Sequence, residues 1–358
     1  MYIFVPSLDI YLFILFKIKI SQMTDISQLG EFALIDKITD GFQLKNQSSV
    51  RGAGDDAAVI DTGDKFMLLS TDLLLEGIAF DLVYTPLAHL GYKAVVAGIS
   101  DIYAMNGTPT QITVSVGLSA KFSVEQVEEL YRGIKFACGD YGVDLVGGDT
   151  SASLTGLAIS VTAVGEVDKD KIVYRSGAQN NDLICVSGDL GGAFMGLQLL
   201  EREKMATQGM DEPVPDFAGK DYILKRQLKP SARKDIVDAL AEINLVPTSM
   251  IDISDGLASE MLHICKQSGC GARIYLNKLS IAKETFDFAE EIRFDPVVAA
   301  LNGGDDYELL FTVPLDKQKE VMNVPGIDII GHITPASKGA ALTTPDGQDI
   351  EITAQGWK

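Results

Sequence analysis

The chain reads as an α/β protein, in full an α+β layered one, built as two domains. Three observations carry that reading. Apolar residues spaced near the helical period alternate with short strand-like runs in both halves of the chain. The length, 358 residues, is about twice that of an ordinary domain. A polar, turn-rich stretch over 166–181, EVDKDKIVYRSGAQNN, separates the halves. The expected boundaries are an N-terminal extension over 1–22, a first domain over 23–165 and a second over 166–358.

In chain order, EFALIDKI (31–38) predicts a short amphipathic helix. Residues 66–70 form a strand that runs into Thr71 and ends at Asp72. Pro86 opens a helical period through Leu87, Leu90, Ala94, Val95, Gly98, Ile99, Ile102 and Met105, and proline suits a first turn whose N–H has no partner. ITVSVGL (112–118) alternates as a strand, and 123–141 is again helical. VDLV (143–146) is a strand ending in GGDT, and 157–167 is another. In the second half, 182–188, 272–276, 307–313 and 327–333 are strands. A helix begins at GGAFMG, a polar loop covers 205–220, and helices cover 231–243 and 256–268. Gly269 stops the last of these as a C-cap.

The first 22 residues match no targeting pattern. Lys17 and Lys19 break the apolar run IYLFILFKIKI, which is shorter than the ~20 residues that span a bilayer. Positive charge follows the run, where a signal peptide carries it first. The segment is either an additional start upstream of Met23 or an extra strand or helix, and no membrane role is expected of it.

Fifty acidic against 30 basic residues leave a net charge of −20. Such a surface repels the phosphates of nucleic acid, so no nucleic-acid partner is expected. It repels small phosphorylated ligands too, unless cations stand between. Four scattered cysteines (Cys138, Cys185, Cys265, Cys270) form no C-x-x-C pair, and with three histidines they exclude a zinc site and a disulfide framework. Buried thiols in a reducing cytoplasm are expected.

Aspartates recur where strands meet glycine or serine: Asp55 and Asp56 in GAGDDAAVI, Asp72, Asp149 in GGDT, Asp252 and Asp255 in IDISDG, Asp305 and Asp306 in GGDD. Any one of these is accounted for by the turn preference of aspartate. Turn preference does not explain the repeated context, and gathering carboxylates without a cation costs Coulomb energy. Oxygen ligands with so few His and Cys suit Mg²⁺. Asp101 shares a helix face with Ala94, Gly98 and Met105, so it packs and requires a partner, whether a metal, an arginine or backbone. Two glycine motifs are weaker. GAGDDA mimics a dinucleotide fingerprint, but two carboxylates stand where a pyrophosphate needs bare amides. Gly188–Gly192 (GDLGG) opens a helix and could cradle a phosphate, but for a lone turn of this kind close strand–helix packing is the favoured reading.

Taken together, GEFALIDKI, GAGDDAAVI, LLSTDLLLEG, YKAVVAGISDIYAMNGTP, VGGDTS, YRSGAQNNDLICVSG, IDISDGL and GGDDYELLFTV resemble, in order, the thiamine-monophosphate kinase family of the aminoimidazole ribonucleotide synthetase-like superfamily. The likeness runs from about Gly30 to Trp357. It implies an N-terminal sheet pairing across a homodimer, a C-terminal mixed sheet with helices, and a site binding ATP, several Mg²⁺ and thiamine monophosphate. By motif, Asp56, Ser70, Thr71, Asp72, Asp101, Asp149, Asp252 and Asp255 are implied metal ligands. Tyr131, Gly148, Asp149, Arg175 and Ser254 are implied ATP contacts, and Ala79, Asp305 and Trp357 stand at substrate positions. Ala79 departs from the family, which has histidine there. Arg175 also makes sense as a fork donor to phosphate. A related purine-type synthetase and a non-catalytic binding protein for nucleotide or thiamine phosphate are the alternatives. No general base is expected, since His89, His263 and His332 lie outside every motif.

Overall fold

The structure is a computed structural model and describes residues 30–210 and 214–354. The extension over 1–22 and Trp357 lie outside the described residues. Helix α1 (Glu31–Thr39) belongs with residues up to Phe42 to one of two units and is described on its own. Its sequence EFALIDKIT matches the expected short helix.

Two sheets organise the other unit, residues 43–354. The first contains β1 (Ser49–Arg51), β2 (Ala58–Asp61), β3 (Lys65–Leu75), β4 (Thr108–Leu118), β5 (Asp144–Ala152) and β6 (Ala158–Asp168), in the order β1-β2-β3-β6-β4-β5. Only β4 and β5 run parallel. Between its strands the chain forms α2 (Leu87–Ala104) and α3 (Val124–Tyr141). Ser123 and Gln126 start α3 with a capping box, and Gly142 ends it in the left-handed conformation. The second sheet contains β7 (Leu183–Ser187), β8 (Ser249–Ile253), β9 (Cys270–Tyr275), β10 (Glu308–Val313), β11 (Ile327–Pro335), β12 (Ala340–Thr343) and β13 (Asp349–Glu351). Its order is β13-β12-β9-β11-β7-β10-β8. Helices α4 (Gly192–Thr207), α5 (Asp221–Leu228), α6 (Lys234–Glu242), α7 (Leu257–Ser268), α8 (Lys283–Glu291), α9 (Pro296–Asn302) and α10 (Gln318–Val321) accompany it. Strands β7 and β10 are buried at every residue, as central strands covered on both faces must be, and β8, although it ends the sheet, is buried at every residue too.

One apolar core runs through both sheets, joining Leu68 and Val161 of the first to Met250 and Phe311 of the second. Helix α2 lies inside it. Fourteen of its 18 residues are buried, which marks a helix packed on more than one side. It rests on the first sheet through Gly98 against Val161, and Ser100 reaches Asp252 of β8.

Two expected boundaries are corrected. The strand at 66–70 is β3 and continues to Leu75, with Thr71 opposite Thr162 and Asp72 opposite Val161. The strand at 143–146 is β5 and runs through GGDT, with Asp149 opposite Ser115. Asp72 and Asp149 are therefore strand residues and do not sit at strand ends. In both cases pairing with a neighbouring strand carries polar residues and glycine into the ladder, against their local turn preference. The strands β1, β2, β8, β12 and β13 and helices α5, α8, α9 and α10 lie outside the expected elements; most are too short to display a period, and they depend on tertiary pairing.

The approach of α3 to α2 depends on missing side chains. A Cβ on Gly133 would stand 1.8 Å from the carbonyl oxygen of Ala88, whereas one on Gly139, on the exposed side of α3, would meet nothing within 4 Å. Gly133→Ala is expected to lower the unfolding free energy by about 1–3 kcal/mol, as overpacking does. Gly139→Ala should leave it unchanged or raise it by up to ~1 kcal/mol, since it removes glycine's entropy cost in a helix. Urea unfolding of the two variants beside the parent checks both signs.

Candidate active site

The pleat of β3 points Leu68, Ser70, Asp72 and Leu74 towards α2 and leaves Thr71, Leu73 and Leu75 on the exposed face. Gly98 gives Asp72 its room, for a Cβ there would stand 3.6 Å from Asp72 Oδ2. Ser70 donates to the carbonyl of Gly98 at 3.1 Å, fixing strand to helix at this level. One turn further along α2 stands Asp101, half-buried. From the other side, β8 brings Asp252, and the turn between β1 and β2 brings Asp55 and Asp56. Asp56, Asp101 and Asp252 each offer an oxygen within 4.8 Å of the others.

Each carboxylate is held differently. Asp55 pairs with Arg51 at 2.7 Å and accepts the backbone N–H of Arg175 at 3.1 Å. Asp56 takes both Nε (3.0 Å) and Nη2 (2.6 Å) of Arg175 on a single oxygen, Oδ1. Its other oxygen is buried with no hydrogen-bond partner, and so is Oδ2 of Asp72. Asp252 accepts from Ser100 Oγ at 2.6 Å. The C-terminal turn of α7 clasps the glycine turn, with Gln267 donating to the carbonyl of Gly54 at 2.6 Å and accepting from Arg51 at 2.9 Å.

The electrostatics follow from burial and proximity. Burial pushes Asp56 up to about 7, opposed by Arg175 and assisted by Asp252. Burial also raises Asp72, and raises Asp252 against the opposing pull of Ser100 and Arg175. Asp101 stands well above the ordinary value through burial and the charges of Asp72, Asp252 and Asp56. Glu260, the next carboxyl outward, is raised by burial and by Asp255, whose backbone N–H it accepts at 2.8 Å. Several anions in a dry space, with two oxygens lacking any donor, are the condition that a hard divalent cation relieves. The donor set is oxygen only, which fits Mg²⁺ and excludes a thiolate or imidazole site. Asp56, Asp72, Asp101 and Asp252 would hold such an ion.

The remaining expected residues are spread more widely. Ser254 and Asp255 follow β8 directly and are exposed beside the cluster. The backbone of Asp305 donates to the carbonyl of Ser254 at 2.7 Å, so the GGDD loop adjoins them. Thr71 and Asp149 point from the opposite, exposed face of the first sheet, where Thr71 meets Thr162 hydroxyl to hydroxyl at 3.1 Å. Gly148 shares the row of Asp72, Val161 and Val114 but lies on the edge strand. Tyr131 and Ala79 are half-buried against the core. The GDLGG turn is no open anion cradle, because Asp306 accepts from the backbone N–H groups of Gly191 (2.8 Å) and Ala193 (3.4 Å) at the start of α4. A carboxylate already fills the anion position at that helix terminus.

Sequence reading missed the cations behind the site. Lys93 of α2 pairs with Asp305 Oδ2 at 2.9 Å. Arg226 of α5 and Arg233 flank Glu308, itself 1 % exposed, and Arg226 lies 3.4 Å from Asp306. Lys93 carried a signal: a lysine in the middle of an apolar helix whose other faces are all covered needs an anion.

Three comparisons bear on the site. The family model described as "AIR synthase related protein, N-terminal domain" matches residues 54–167. The thiamine-monophosphate kinase of Aquifex aeolicus is 35 % identical over 93 % of this chain and 99 % of its own length, and that of Escherichia coli K12 is 33 % identical over 92 % and 97 %. A solved structure described as "AaThiL complexed with AMPPCP and TMP" superposes with a TM-score of 0.79 at 34 % identity, covering 94 % of this chain and 99 % of that one.

The raised carboxyls set a sign for stability. Without metal, the folded chain binds more protons than the unfolded chain between the ordinary value of 3.8 and about 7. The contribution of these groups is therefore greatest in acid and is lost as pH rises through that window. Mg²⁺ should raise the melting temperature more at pH 7.5 than at pH 5.5. Asp101→Asn should keep or raise the metal-free melting temperature and shrink the Mg²⁺ increment, all read by calorimetry. Equal increments at both pH values would contradict the assignment.

Proposed function

The chain belongs to the thiamine-monophosphate kinase family, and from that premise we propose that its acidic cluster transfers the γ-phosphoryl group of ATP to the phosphate of thiamine monophosphate, giving thiamine diphosphate and ADP. The observation that carries the reading is the meeting of Asp56, Asp101 and Asp252 beside Arg175. Mg²⁺ held there would screen the phosphate charges of the two substrates.

Arg175 commits Nε and Nη2 to one oxygen of Asp56, which fixes the guanidinium plane and leaves Nη1 to donate to a phosphate. Ser254 offers a hydroxyl at the exposed edge beside Asp252. The strands and helices beneath are rigid and buried, so the donors are held in place before substrate arrives. A phosphate monoester has a second pKa of about 6, so the acceptor is mostly a dianion at neutral pH and needs no proton removed. The chemistry asked of the chain is positioning and charge neutralisation, the pattern of phosphoryl transfer in general.

We place Thr71, Asp149, Gly148 and Tyr131 as nucleotide or metal contacts, and Ala79, Asp305 and Trp357 as contacts of the thiamine moiety, on the strength of the motifs. We also place the enzyme in the cytoplasm as a homodimer. Every residue of β5, the edge strand, is exposed, and on β3 of the same sheet Leu73 and Leu75 are 63 % and 40 % exposed, an open edge and apolar side chains that a second copy would cover. Among the described residues no helix is long and apolar enough to cross a membrane.

Incubation with ATP, Mg²⁺ and thiamine monophosphate is expected to give ADP and thiamine diphosphate in equal amounts, with a rate that continues to rise with Mg²⁺ beyond saturation of ATP. ADP without the diphosphate would point to another acceptor, as in a synthetase, and no ADP at all to a binding protein. Replacing His89, His263 or His332 by Gln should change kcat by less than about tenfold, because a general base is worth roughly 10²–10⁴. A thousandfold loss in any one, with folding intact, would overturn the base-free mechanism.

A further inference from the structure

Lys93 is the one cation of α2, and its side chain is only 4 % exposed. A lysine so placed loses its hydration and must find anions or carbonyl oxygens. It finds Asp305 Oδ2 at 2.9 Å. Gln227 of α5 adds a second acceptor at 3.1 Å in the amide orientation that also lets its nitrogen donate to the carbonyl of Ala193. The other oxygen of Asp305 accepts from Tyr307 at 3.0 Å. Both oxygens of this carboxylate are thus held by buried donors, yet its side chain remains 37 % exposed.

The backbone around it is strained in the same direction. Asp305 (φ 59°) and Tyr307 (φ 51°) both occupy the left-handed region, which non-glycine residues rarely adopt and which persists only where the surroundings impose it. Their N–H groups are tied to Ser254 and Ile253 at 2.7 and 2.8 Å, so the loop is pinned to the end of β8 beside Asp252 and Asp255. Structural burial of Lys93 alone needs neither a half-exposed partner nor a strained loop. A carboxylate held for something outside the protein accounts for both.

We propose that Lys93 is a positioning residue for the acceptor substrate. It holds Asp305 so that the open edge of the carboxylate presents fixed acceptors to donor groups on the organic part of thiamine monophosphate. The lysine and the aspartate sum to zero charge, so the pair offers direction and not net attraction. This rests on the phosphoryl-transfer reading above and assigns Lys93 a part in it that acts through Asp305.

The test is steady-state kinetics of the full-length protein with Lys93→Met, Lys93→Arg, Asp305→Asn and the Lys93→Met/Asp305→Asn double variant. Lys93→Met is expected to raise KM for thiamine monophosphate tenfold or more, with KM for ATP within twofold. Lys93→Arg should recover most of that loss. In the Asp305→Asn background, Lys93→Met should add less than twofold, because the group it acts through is already gone. A Lys93→Met effect that shifts both KM values together, or that persists in full in the double variant, would overturn the proposal. So would loss of cooperative unfolding in both Lys93 variants, which would make the residue purely structural. An unsubstituted protein that makes no thiamine diphosphate would overturn the functional reading, and this one with it. Normal turnover by the parent with an unchanged KM in Lys93→Met overturns this proposal alone.

Discussion

Mutual repulsion among aspartates that the fold brings together from distant parts of the chain is the constraint on which the rest of the structure depends. Asp56, Asp101 and Asp252 arrive from a turn, a helix and a strand of the other sheet, and their oxygens approach within 4.8 Å in a buried space. At such separations and reduced dielectric, like charges cost several kcal/mol. The surroundings answer part of that cost: Arg175 on one oxygen of Asp56, Ser100 on one of Asp252, and a raised proton affinity for Asp101. What they leave unanswered is two buried oxygens without donors, the part that the proposed Mg²⁺ would supply. The chain's net charge of −20 is reconciled with a phosphate-handling role in the same way. On the proposed reading its acid groups would face cations, and the phosphates would meet those cations.

Helix α2 makes this arrangement possible by being buried nearly all round. Polar groups leave it in different directions: Lys93 towards the GGDD loop, Ser100 towards β8, and Asp101 into the cluster. A surface helix has one face to give to a core, whereas this one is in contact with both sheets. Close packing of α3 through Gly133, with no Cβ to spare, keeps it from shifting. Arg226, Asp306 and Glu308 do similar work on the second sheet, bracing α4 and α5 against the loop that carries Asp305.

The fold class and the long elements were legible because α2, α3 and α7 show their period over three turns or more, and Gly142 and Gly269 mark two of their ends. Strands β3 and β5 were cut short because Thr71–Asp72 and GGDT read locally as turns, while the hydrogen bonds that overrule this come from β6 and β4, far away in the chain. The same separation explains the site. Repeated Asp-Gly and Asp-Ser contexts pointed to Asp56 and Asp252, and the packed face of α2 pointed to Asp101. That Thr71 and Asp149 leave the sheet on the opposite face could not be read without the true extent of their strands. The apolar run around Lys93 called for an anion without naming it, and Arg226 gave no signal, because a cation's partner is set by tertiary contact and has no fixed spacing. The occupant of the GDLGG turn was hidden for the same reason, since it is Asp306, more than a hundred residues on.

The two functional ends of α2 have a geometric corollary. Lys93 and Asp101 leave one unbroken helix eight residues apart, an axial rise of about 12 Å. Under the roles proposed for Lys93 and the acidic cluster, this one helix would set the span between the grip on the acceptor's organic part and the place where its phosphate meets the cluster. The helix would then serve as a ruler. Selection among phosphorylated acceptors would become a matter of length, in which a molecule with a shorter or longer arm between ring and phosphate would satisfy one end of the gauge but not both.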